Sequence, residues 1–119
     1  MTSAKVEVPD SDVITPVDIK HNVEEIISDG QLLQCYNYLV YEFERDEAYC
    51  EAWAYLDGIE TVSLHGPFAD RDHLREVEAP DFYADVLSYL KRRFAIIDAP
   101  GDVEYVTIWR RPGFDGQAG

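Results

Sequence analysis

Lysine is nearly missing from this chain. Lys5, Lys20 and Lys91 are its lysines, and 10 bases in all face 24 acids, a net charge of −14 over 119 residues. Such a surface repels phosphate backbones and anionic membranes, so direct nucleic-acid binding and attachment to acidic lipid are not expected. Cysteine is equally scarce. Cys35 and Cys50 build no disulfide framework, and two free thiols suit a reducing cytoplasm. No hydrophobic run reaches membrane-spanning length, and Met1–Asp12 lacks the apolar core of a signal peptide. A glycine-rich phosphate loop, a nucleophile elbow, a helical zinc-binding pair, Cys-x-x-Cys and internal repeats are absent too. No cofactor, metal or catalytic residue is therefore expected from a motif.

What is present suffices for one domain with a real core and no staples. The acidity admits three readings. It serves solubility, including adaptation to a salty cytoplasm where self-repulsion is screened; it offers an acidic face to a basic protein partner; or it mimics the phosphates of DNA. Glu42 to Asp85 holds 13 acids and 3 bases, so charge concentrates in the middle of the chain.

The rest is organised around Leu33–Leu64, a predicted three-stranded antiparallel meander. Its strands run about Leu33–Glu44, Tyr49–Leu56 and Ile59–His65, rich in β-branched and aromatic residues. Arg45-Asp46 reads as the first two-residue loop and Asp57-Gly58 as the second, with Gly66-Pro67 ending the ladder. In this register Leu33, Cys35, Leu39, Tyr41 and Phe43 share a face with Cys50, Ala52, Ala54 and Leu56. The alanines leave room for a helix, so this is the expected core face. The opposite face carries Tyr36, Tyr38, Val40 and Glu42 with Tyr49, Glu51, Trp53 and Tyr55, and Val62 and Leu64 fall beside Trp53 and Glu51. A face left to water should alternate with polar residues. This one holds large aromatics with carboxylates at the margin.

Met1–Ile14 reads as a polar lead-in, with Val6 and Val8 as a short edge strand. Thr15 as N-cap, Pro16 in the first turn and Val17, Ile19, Val23, Ile26 and Ile27 at helical spacing predict a helix ending at Asp29-Gly30. A second helix is expected over about Pro80–Phe94, burying Phe82, Tyr83, Val86, Leu87, Leu90 and Phe94. Lys91-Arg92-Arg93 close it where positive charge suits the macrodipole. Val103–Arg110 reads as a last strand and 112–119 as a flexible tail. The expectation is one α+β domain over 15–111, an antiparallel sheet of about four strands with two main helices.

Three constellations could carry chemistry. A two-residue Asp57-Gly58 turn puts Cys50 beside His65, where a thiol and an imidazole can form a nucleophile but more commonly lie buried. Asp70, Asp72 and His73, with His65 near in sequence, have metal-ligating chemistry without a calcium-loop pattern, so a solvated acidic loop is the ordinary reading. The third is the aromatic face. It suits an interface, a ligand pocket between sheet and helix lined by Tyr38, Glu51, Trp53 and Tyr55, or burial beneath the second helix.

The leading expectation is a small acidic cytoplasmic interaction domain, a homodimer joined through Tyr36, Tyr38, Tyr49, Glu51, Trp53, Tyr55, Val62 and Leu64. Its outward acids would serve a basic protein partner. The alternatives are a small-molecule-binding protein or enzyme using the pocket, and an acidic inhibitor that mimics DNA.

Overall fold

The segment after Pro16 is a strand. In the computed structural model, which describes residues 13–56 and 60–114, β1 (Asp18–Ser28) pairs antiparallel with β2 (Gln31–Arg45) along its whole length. The expected first helix is overturned. Valine and isoleucine at these spacings fit a helical stripe and a pleated ribbon alike, and their branching favours the ribbon. Asp29-Gly30 decides the matter. Asp29 has φ 53° and Gly30 φ 76°, and two successive left-handed residues form the two-residue turn whose twist suits a hairpin.

The other elements are β3 (Ala48–Tyr55), β4 (Thr61–Phe68), α1 (Pro80–Lys91), β5 (Ile96–Pro100) and β6 (Tyr105–Arg110), and the strands form one sheet in the order β1-β2-β3-β4-β5-β6. Neighbours are antiparallel except β4 and β5, whose parallel pairing needs the crossover that α1 supplies. The fold is thus a six-stranded mixed sheet with a single helix among the described residues. The expected four antiparallel strands and two helices are corrected, within the same α+β class. β5 is a short apolar stretch after a helix, with no alternation to announce it. β4 continues through the cis Gly66–Pro67 bond instead of stopping there. Val6, Val8, the Asp57-Gly58 turn and the end of the tail lie outside the described residues.

The core lies on one side of the sheet. Phe82, Val86, Tyr89 and Leu90 of α1 pack on Phe43, Cys50, Ala52, Ala54, Val62, Leu64 and Ile97. The alanine-lined face takes the helix, as its small side chains require. Phe43, Leu64, Leu90 and Ile97 are sealed from water, each worth about 1.5–3 kcal/mol of burial. An Arg45–Asp85 ion pair of 2.7 Å ties the end of β2 to the helix. Of the basic trio, Lys91 lies over the Trp109 ring and Arg93 over the Tyr89 ring.

Register then distributes the side chains. In the β2–β3 ladder Tyr38 faces Tyr55, Cys50 faces Phe43, and Arg45 faces Ala48. The turn is therefore Asp46-Glu47, with φ 49° and 66°, and not Arg45-Asp46. That displaces the expected pairing by two residues, which preserves both faces. The β3–β4 ladder pairs Glu51 with His65, Ala52 with Leu64 and Trp53 with Ser63, one residue away from what a two-residue turn imposes. One residue reverses every side chain of β4. Val62 and Leu64 go beneath α1, and His65 crosses to the helix-free face.

β2 meets β3 only from Tyr38 onward. Among the described residues Gln31–Tyr36 pair with β1 alone, as a two-stranded arm. The molecule measures 67 × 39 × 27 Å.

Candidate functional site

On the helix-free face, alternate residues of four strands bring aromatic rings into series. Tyr36 lies 6.3 Å from Tyr55, Tyr55 5.1 Å from Tyr38, Tyr38 5.4 Å from Trp53, Trp53 4.9 Å from His65, and His65 5.7 Å from Tyr105. These centroid separations are those of interacting aromatic pairs. The ladder crosses the sheet from β2 to β6. Tyr38 is buried within it, Trp53, Tyr55 and His65 are half-buried, and Tyr36 and Tyr105 are exposed. The Tyr38 hydroxyl donates to Glu24 of β1 at 3.2 Å. Burial pushes the Tyr55 hydroxyl up, and the nearby Tyr38, Tyr105, Glu24 and Tyr36 add to that. Burial also pushes the His65 imidazole down, against the opposing pull of Glu51.

Beside the ladder two carboxylates are buried, Glu42 and Glu51. Glu51 accepts from the Tyr49 hydroxyl at 2.6 Å and from the Trp53 indole N–H at 2.6 Å, and His73 Nε2 lies 3.0 Å from its Oε2. Glu42 is held by Arg71 at 2.6 Å and Lys20 at 3.2 Å. Burial pushes the Glu42 carboxyl up, but the bonds and charges of Arg71 and Lys20 outweigh it and leave the group below its ordinary range. Burial and the Glu51 bond both push the Tyr49 hydroxyl up.

The charge-dense loop after β4 supplies these partners. It folds back on itself, with Ala69 N–H donating to the Arg75 carbonyl at 2.8 Å, and lies over this end of the face. His73, at φ 62°, stacks on Phe68 at 4.4 Å, and the Arg71 guanidinium sits 5.1 Å over the Tyr49 ring. Each does two things at once: it covers a ring and meets a carboxylate.

The structure separates the other constellations. Cys50 is fully buried under α1 with its thiol pushed up to about 12 by burial, while His65 is on the opposite face. Thiol and imidazole never meet. Asp70 accepts from the Asp72 backbone N–H at 3.0 Å and His73 turns to Glu51, so the loop residues do not converge. Among the described residues no group of three or more His, Cys, Asp or Glu could hold a metal ion. Of the four residues expected to line a pocket between sheet and helix, Tyr38, Glu51 and Trp53 lie on the helix-free face, while Tyr55 borders a hollow beside Phe94. Hollows of about 360 and 300 Å³ border α1 and one of about 270 Å³ lies past its end at Arg93 and Phe94, and none of them is lined by Tyr38, Glu51 or Trp53. Val62 and Leu64 leave the expected interface for the core, and Tyr38, Tyr49 and Glu51 are covered.

Arg71, His73, His65, Tyr105, Lys20 and Glu24 join the site without having been expected there. Alternation within β6 misleads for Tyr105, because the bulge between Thr107 and Trp109 puts it on the face opposite Trp109, whereas Arg71 and His73 stand out as basic groups in an acidic loop. Nothing local showed that the loop folds onto the sheet. Among the described residues no helix is long and apolar enough to cross a membrane. No protein family, curated protein or solved structure compared with this chain matches it.

Proposed function

We propose that this chain is a protein-interaction domain whose helix-free face receives arginine or lysine side chains of a basic partner protein. The supporting observation is what the chain does with its own cation. Arg71 lies over the Tyr49 ring and bonds Glu42, the arrangement in which a guanidinium gains from a ring face and a carboxylate together. The ladder, exposed at Tyr36 and Tyr105 and half-buried at Trp53, Tyr55 and His65, is built from the same parts, with Glu24 at its β1 side. The net charge of −14 draws a basic partner and repels nucleic acid, whose bases would otherwise stack on the rings. An exposed Cys35 and a buried Cys50, both free, suit a reducing cytoplasm as the place of action.

Titration of labelled protein with an arginine-rich peptide at 150 mM salt tests this by NMR. Shifts should concentrate on the Trp53 indole and on Tyr36, Tyr55 and Tyr105, and Trp53→Ala with Tyr55→Ala should weaken binding at least tenfold. Shifts spread over all acidic surfaces, or binding lost on reaching that salt, would reduce the effect to nonspecific attraction. A second reading, the DNA mimic, is favoured by one observation. A hollow of about 650 Å³ beside the β2–β3 turn is rimmed by Glu44, Asp46, Glu47, Asp70 and Asp72, five acids against Arg45 and Arg71. Peptide shifts at this rim instead of the ladder would support it.

A further inference from the structure

The β1–β2 arm carries apolar side chains without cover. Val23, Ile27 and Leu32 stand on its helix-side face, Ile26 and Tyr36 on the other, and Leu33 in the bulge between them, every one exposed. A two-stranded ribbon is marginal in water unless something extends it or takes its faces. Among the described residues the edge needed for extension carries no strand beyond Leu56, and nothing pairs with β2 on the β3 side before Asn37, whose carbonyl accepts from the Leu56 N–H at 2.9 Å. From Gln31 to Tyr36 the outward N–H and C=O groups form a template for another strand.

We propose that two copies of this chain associate through their arms, β2 against β2, antiparallel across Gln31–Tyr36 about a two-fold axis perpendicular to the sheet. Charge identifies the occupant. Two chains of −14 repel wherever their acids meet, but Gly30 through Tyr41 contains no Asp, Glu, Lys or Arg, the longest such run in the sequence. A second copy meets no repulsion there, and a basic partner would find no carboxylate along that run. Antiparallel pairing of a segment with itself is also self-complementary, as an isologous contact requires. The two sheets become one, with both helices on the same side. Each tip comes to lie where the partner's β3 stops, near a hollow lined by Leu39, Ala54, Leu56 and Phe94. Tyr36 belongs to both the pairing segment and the ladder, and the ladder from Tyr38 to Tyr105 is left free, so this dimer leaves most of the proposed binding face available.

Cys35 lies within this segment and is exposed, whereas Cys50 is buried, so a nitroxide can be placed at Cys35 alone. Light scattering at about 100 µM should give twice the 13.6 kDa chain mass. Pulsed electron resonance should give one distance between the labels, below about 30 Å, as adjacent antiparallel strands offset by a few residues demand. Leu32→Lys with Leu33→Lys, at positions exposed in one chain, should give a monomer with an unchanged circular dichroism spectrum. Trp53→Ala with Tyr55→Ala should leave the dimer intact. A monomeric wild type, a dimer that survives the two lysines, or a label separation beyond about 40 Å would each overturn the proposal. The separation is read on the labelled chain without those lysines, so it decides even if that variant fails to fold.

Discussion

Glu42 stands directly across from Glu51 in the β2–β3 ladder, and both side chains are buried. Like charges opposite one another weaken a sheet. Here each is handed to different donors, Glu42 to Arg71 and Lys20, Glu51 to Tyr49, Trp53 and His73. Arg71 also bonds Glu44 at 2.9 Å, so one guanidinium neutralises two acids of β2.

Removing that guanidinium exposes the arrangement to test. Arg71→Met keeps part of the stem over Tyr49 and leaves Glu42 with Lys20 alone. A loss of about 1–2 kcal/mol is expected in denaturant unfolding, less than for a fully buried pair because Arg71 retains contact with water. The pH profile should change with it. Below the ordinary 4.5, the unfolded chain takes up a proton that folded Glu42 still refuses, so stability falls with pH over that window. The variant should lose less over the same range. An unchanged acid limb would count against the depressed carboxyl.

His65 sets a second window. Burial holds its imidazole below the ordinary 6.5, so the unfolded chain binds a proton first. Its contribution is complete above pH 6.5 and is lost as pH falls towards the folded value. His65→Gln should therefore shrink the fall in Tm between pH 7.5 and 5.5, measured calorimetrically. A larger fall in the variant would mean that the folded chain favours the charged imidazole.

Gly66 allows no side chain. Its φ is 115°, and an added Cβ would lie 2.8 Å from the Tyr49 carbonyl oxygen and 3.2 Å from the Cys50 Cα. Both are backbone atoms of the central strand and cannot step aside. Gly66→Ala should cost about 2–4 kcal/mol, through backbone strain and the forced shift together. A variant within about 0.5 kcal/mol of the parent would show that β4 lies farther from β3 at this point.

The Asp46-Glu47 turn offers a gain. Glu47 holds φ 66°, a conformation costing an L-residue about 1 kcal/mol, and it follows an Asp with φ 49°. Glu47→Gly completes the Asp-Gly dipeptide this turn type favours. It should stabilise by about 0.5–1 kcal/mol, raising Tm by a few degrees. A lower Tm would mean that the Glu47 side chain contributes more than its backbone costs.

Much of this molecule was legible before folding. Alternation along β2 and β3 sorts aromatics from alanines, and α1 is marked by Pro80 and its apolar spacing. These are local properties, periods of two or of about four residues that need only the chain itself. They also survive error. Misplacing the β2–β3 turn by one residue shifted the pairing by two and kept the side chains of the paired stretch, Tyr38–Tyr55, on their proper sides.

Long-range pairing is another matter. The branched residues of β1 satisfy two periodicities, and β2 as a neighbour settled the choice. A single residue in the β3–β4 connection exchanged Val62 and Leu64 for His65 on the helix-free face. The loop that lays Arg71 and His73 on buried carboxylates makes contacts some twenty to thirty residues away in sequence. Composition and spacing thus determined which side chains share a strand face. Only the tertiary structure decided which strands meet, in what register and beneath what cover, because those depend on turn geometry and on surfaces that exist only after the chain has come together.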